Sequence, residues 1–128
     1  MKLKRHLITC SLSLSVIFSF PVFAIAQNEA TVLTGAELAL VVPPGLYFQG
    51  RSATTQIRNS AAARFGSNRY VIAGLVDTSG YAADVRAKYE GFLITDSAIK
   101  INGVALGVGA YGFGFTNTGK LAILDLAD

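Results

Sequence analysis

The stretch IKINGVALGVGAYGFGFTNTGKLAILD, residues 99–125, decides the fold of this chain. Asn102-Gly103 is the favoured dipeptide for a type I′ hairpin turn, because both residues tolerate a positive φ. A two-residue loop there sets Ile101 opposite Val104, Lys100 opposite Ala105 and Ile99 opposite Leu106. Branched and aliphatic side chains then share one face and lysine takes the other. Turn chemistry and side-chain parity give the same register.

After Leu106 the apolar parity moves from even positions, Val104 and Leu106, to odd ones, Tyr111, Phe113 and Phe115. A bulge, sharp bend or short loop within Gly107-Val108-Gly109 is needed to re-phase the strand. The second reversal falls at Asn117-Thr118-Gly119, where a three-residue loop with a left-handed glycine pairs Phe115 with Leu121 and Phe113 with Ile123. Gly112 and Gly114 then lie opposite Leu124 and Ala122, so one face is aromatic and the other nearly bare. Glycine within a strand marks a bend or a close approach. A second layer packed tightly on the bare face, or a barrel corner, accounts for these glycines; a bound ligand and an assembly contact are the alternatives.

The chain opens with Lys2, Lys4 and Arg5, an apolar run from Leu7 to Phe20, Pro21 and the small-residue pattern Ala24-Ile25-Ala26. These are the parts of a secretory signal peptide, expected to occupy residues 1–26 and to leave a single β-rich domain over 27–128. The expected location is secreted or periplasmic, with no transmembrane segment in the mature chain. Removing the signal takes three of the 11 basic residues and leaves 8 against 8 acidic ones. A near-neutral domain without a concentrated positive footprint is not a nucleic-acid binder.

The signal also carries the only cysteine, histidine and methionine (Cys10, His6 and Met1). Disulfides, Cys–His or Ser–His nucleophile pairs, and zinc or haem sites built on His or Cys are therefore excluded from the mature domain, and no cofactor or metal is expected. All 13 glycines lie after residue 26. High glycine with many β-branched and aromatic residues favours a turn-rich all-β domain. The fold expected is a small antiparallel meander forming a barrel-like or sandwich domain, with room for one short helix.

In chain order, Val32 and Leu33 belong to a tail that leads into a first strand, and Leu38-Ala39-Leu40-Val41-Val42 reads as a strand ended by Pro43-Pro44-Gly45. Leu46 to Gly50 is a further short strand. Arg51 to Phe65 is ambiguous. Ala53, Ile57, Ala61 and Phe65 recur at helical spacing, but Thr54-Thr55 favours extended chain and Asn59-Ser60 compete for backbone bonds in a helix, so a strand turning at Gly66-Ser67-Asn68 is preferred. Arg69 to Val76 is apolar on both faces and reads as a central strand. Asp77-Thr78-Ser79-Gly80 is a turn, Tyr81 to Tyr89 a short surface helix or turn, and Phe92-Leu93-Ile94 the next strand. Leu121 to Leu126 is again apolar on both faces and favours closure of the sheet over an exposed edge.

Three functions are compatible with this reading. The first is a small exported domain binding a small, partly apolar or anionic ligand, with Tyr47, Tyr70, Tyr111, Phe113 and Phe115 as aromatic contacts. Arg58 and Arg64 are added because their even spacing on one strand would place both on one face, where they could hold an anion by bidentate hydrogen bonds. The second is a non-catalytic structural or interaction module of the cell envelope, pairing with itself as a homo-oligomer or with another envelope protein. The third is a hydrolase using carboxylates among Asp77, Asp84, Glu90 and Asp96, disfavoured because nothing sets a pair at a working separation or raises one pKa.

Overall fold

The computed structural model describes residues 29–48 and 50–127. The expected signal peptide lies outside the described residues. Strand β1 (Ala30–Val32) leads through a short helix α1 (Gly35–Val41) into β2 (Gly45–Phe48), which pairs with the long β3 (Arg51–Phe65). β4 (Arg69–Val76), α2 (Ala83–Arg86), β5 (Gly91–Thr95), the small hairpin β6 (Ile99–Ile101) and β7 (Val104–Leu106), then β8 (Gly109–Phe115) and β9 (Leu121–Asp125) complete the chain. The main sheet is antiparallel, in the order β1-β3-β4-β5-β8-β9, with β2 beside the first half of β3. β6 and β7 form a separate two-stranded sheet. None of the described helices is long and apolar enough to cross a membrane.

Both hairpins of residues 99–125 form in the expected register: Ile99 faces Leu106, Ile101 faces Val104, Phe113 faces Ile123 and Phe115 faces Leu121. Asn102 and Gly103 take φ values of +48° and +81°, the left-handed pair that a type I′ turn requires. Gly119 closes the second loop at φ +77°, and Thr116 N donates to Lys120 O at 2.8 Å. Between the hairpins the chain leaves regular strand at residues 107–108, and there the first hairpin parts from the main sheet.

Residues 51–65 are strand. The register with β4 slips between Gln56 and Ser60. There Ser60 Oγ donates to Gln56 O at 2.8 Å and Asn59 Nδ2 to Gln56 Oε1 at 2.6 Å, so the short polar side chains that disfavour a helix serve the irregularity instead. β4 is central, between β3 and β5, and α2 is the short surface helix expected near residue 85.

Two expectations are corrected. Leu38 to Val42 is not a strand: Gly35–Val41 is helical, with Thr34 extended at the N-cap and Glu37 in the first turn. Ala36, Glu37, Leu38, Ala39 and Leu40 are all good helix formers, and the apolar run concealed a helix only two turns long. Its Leu38 and Val41 pack on the core, and Pro43-Pro44 prevent continuation. The sheet also does not close into a barrel: among the described residues β9 pairs only with β8 and forms an open edge, leaving the sandwich-like arrangement. At the far side of the sheet β3 is edged by the short strands β1 and β2, and neither pairs with β9.

Directly paired residues in an antiparallel sheet share a face, which separates the side chains cleanly. One face carries Ala62, Ile72, Ile94 and Ala110 in a row, with Val76, Phe92 and Gly112 beside them. Leu33, Leu38, Val41 and Val42 pack on this face and enclose the core, where Phe92 is only 1% exposed. The opposite, aromatic face carries Leu93, Tyr111, Phe113, Phe115, Leu121 and Ile123. It is closed only in part: Tyr111 is buried and donates its hydroxyl to Gly107 O at 2.9 Å, whereas Phe115 is 51% exposed.

Candidate functional site

The nearly bare strip of β8 meets a second layer. A Cβ at Gly112 would press on the Tyr89 ring, and one at Gly114 would overlap the Ala87 carbonyl and crowd Lys88 N. The segment from α2 to Tyr89 thus lies on the glycines of the helix-covered face, at the end away from α1. That approach is possible only because β8 carries no side chain there.

The same segment walls a cavity of about 260 Å³. Leu46 and Phe48 from β2, Ala53 from β3, Val76 from β4, Phe92 from β5 and Leu126 beyond β9 supply an apolar floor; Val85 and Tyr89 close the opposite side. The Phe48 and Tyr89 rings meet at a centroid distance of 5.3 Å and an angle of 48°, joining β2 to the α2 segment. Arg51, Tyr81, Asp84 and Lys88 ring the mouth. The Tyr81 hydroxyl donates to Ser52 O at 3.1 Å, and the Arg51 guanidinium carbon stands 6.0 Å from the centre of the Tyr81 ring, at the outer limit of a cation–π contact. The volume corresponds to about eight or nine waters of liquid and approaches the lower end of small-molecule sites.

The turn before Tyr81 is fixed by its own side chains. Asp77 Oδ1 accepts from Ser79 N at 3.0 Å and from Ser79 Oγ at 2.6 Å, and Tyr81 N donates to Thr78 O at 3.0 Å. The Ser79 hydroxyl, then its backbone N–H, hold the Asp77 carboxyl below its ordinary value of 3.8. Asp96 has a structural role as well, accepting from Tyr70 N at 3.0 Å. Among the described residues no three His, Cys, Asp or Glu side chains come together in a metal-binding group.

The residues singled out from the sequence are scattered. Tyr47 is 75% exposed on the aromatic-face side of β2, opposite Ser52. Arg64 and Tyr70 are direct cross-strand partners on the helix-covered face, and Tyr70 packs against the core. Arg58 sits in the irregular part of β3, so even spacing no longer ties it to the face of Arg64. Tyr111 is buried, and Phe113 and Phe115 make an edge-on pair at 6.3 Å. Arg58 and Phe113 meet only at a shallow groove beside Ala61, Ala73 and Leu75.

None of the seven lines the cavity under the α2 segment. Its walls come from seven parts of the chain, β2, β3, β4, the α2 segment, β5, β8 and Leu126 beyond β9, and the one local signal pointing to it was the paired glycines of β8. No family model matches this chain, and no curated protein or solved structure is significantly similar to it.

Proposed function

We propose that the protein is an exported, non-catalytic domain, secreted or periplasmic, that binds a small, partly apolar ligand in the cavity between β2 and the α2 segment. The observation that carries this reading is the cavity's composition: an apolar floor of Leu46, Phe48, Val76 and Phe92 under a rim with two cations, Arg51 and Lys88, and one carboxylate, Asp84. Such a combination suits a compact molecule with an apolar body and a polar or anionic end. Export is supported by the basic, apolar and small-residue order of residues 1–26.

Octanoate is a suitable first probe, since its chain is short enough for the volume and its carboxylate can reach the rim. Titration followed by NMR of backbone amides is expected to give saturable shifts at Phe48, Val85, Tyr89, Phe92 and Gly112. Lys88→Glu is expected to weaken octanoate more than octanol. Shifts confined to the aromatic face, or no saturable response up to about 1 mM with either probe, would overturn the assignment.

A further inference from the structure

We propose that β9 is the contact of a two-fold homodimer, in which the sheets of two copies join edge to edge through antiparallel pairing of their β9 strands. This does not depend on the ligand reading, because none of Leu121–Asp125 lines the cavity.

The backbone of β9 fixes which groups are free. Thr116 N donates to Lys120 O at 2.8 Å, and Leu126 N to Ala110 O at 3.0 Å. Even-numbered residues of β9 therefore turn their N–H and C=O groups toward β8, and those of Leu121, Ile123 and Asp125 point away from it. Among the described residues no strand meets that outer row. Edge strands are ordinarily blunted by proline, bulges or inward charges. β9 has no proline and no break in its register with β8, and its central side chains are Leu121, Ala122, Ile123 and Leu124.

The other edge of the sheet is a shorter and broken match. There β1 spans three residues and β2 four, separated by α1 and Pro43-Pro44. Head-to-tail addition of copies would set the five residues of β9 against an edge interrupted by α1 and Pro43-Pro44, so the partner that matches β9 over its whole length is another β9. A dyad through Ile123 sets Ile123 opposite itself and Leu121 opposite Asp125 of the second copy, all of them outward-pointing residues as the ladder demands.

The charges are also compatible with this arrangement. Lys120 and Asp125 stand at opposite ends of β9. Antiparallel pairing brings Lys120 of one copy to the same end as Asp125 of the other, with no like charges face to face. The cross-strand row Phe113–Ile123 on the aromatic face then continues across the dyad into the same row of the second copy.

Sedimentation equilibrium of the protein purified from expression of the full chain should show a dimer that dissociates on dilution. Ile123→Lys places two lysines opposite each other at the dyad and nowhere else, and is expected to weaken dimerisation by about tenfold or more. Ile123→Cys in a Cys10→Ser background provides a readout that does not rely on the lysine variant folding. Paired Cα atoms there are about 5.5 Å apart, within disulfide range, so mild oxidation should yield a covalent dimer. A wild-type protein monomeric at about 100 μM would overturn the proposal. So would a dimer that neither variant affects.

Discussion

The Ala87 carbonyl lies so close over Gly114 that a Cβ on residue 114 would overlap it. β8 and the α2 segment are thereby locked at a spacing only glycine permits, and the cavity wall depends on that spacing. Gly114→Ala must either lift the Ala87–Tyr89 backbone or bend β8. The expected cost is about 1–3 kcal/mol, as for other overpacked sites. Urea unfolding measures it. Because the displaced backbone also carries Tyr89, the Phe48–Tyr89 contact should loosen in the same variant, visible as changed ring shifts by NMR. An unchanged midpoint and unchanged Tyr89 signals would show that the two layers are not in contact.

Thr55 presents the opposite situation, a group the fold would be better without. It is buried at the start of the β3–β4 pairing, 7% exposed, and its Oγ1 has no hydrogen-bond partner among the described residues. Replacing the hydroxyl with a methyl keeps the shape and the β-branched preference for strand. Thr55→Val is therefore expected to raise stability by about 1 kcal/mol, the desolvation cost of an unpaired buried polar group. A higher urea midpoint with an unchanged m-value would confirm it; a loss would reveal a bond made by the hydroxyl.

What could be read from the sequence was whatever local chemistry and long-range pairing specify twice. Asn102-Gly103 and the alternation around it give one register by two routes, and Gly119 does the same for Phe115 and Leu121. The run Leu38–Val42 reads as a strand because a helix of seven residues shows barely two turns of period, and its apolar side chains suit either element. The paired glycines of β8 announced a close approach but not what approaches, since Ala87 and Tyr89 reach them only through tertiary packing. The aromatic side chains singled out from the sequence do not line the cavity. Phe113 and Phe115 lie on the less covered face, while the cavity is built from Leu46, Val76, Val85 and Phe92, which belong to separate elements and carry no shared motif.

The hairpin of β6 and β7 stands apart from the main sheet, which makes its turn a local determinant. Gly103 holds φ +81° with nothing near its Cβ position, so Gly103→Ala meets backbone strain without a steric clash. The cost is expected to be about 1 kcal/mol, borne by the hairpin alone. Hydrogen exchange should accelerate at the paired amides of residues 99–106, while the amides of β4 and β5 keep their protection. Equal acceleration in the central strands would show that the hairpin is coupled to the core.

Acid should act on the turn that leads into the cavity wall. The folded Asp77 carboxyl lies below 3.8 because Ser79 donates to it twice, through its hydroxyl and its backbone N–H. A depressed folded value means that the unfolded chain binds the proton more readily. The contribution is therefore complete above the unfolded value of about 3.8, and it is lost as pH falls through the lower folded one. Asp77→Asn retains an acceptor oxygen but has no charge to lose. Wild type should exceed this variant in stability at pH 6, and the gap should close as pH falls below 3.8 and through the lower folded value. Parallel pH profiles for the two proteins would mean that Asp77 is not held by Ser79 in solution. In the wild type alone, the same acid range should also loosen the Asp77–Tyr81 turn, read as faster exchange at Ser79 N, whose acceptor is then neutral.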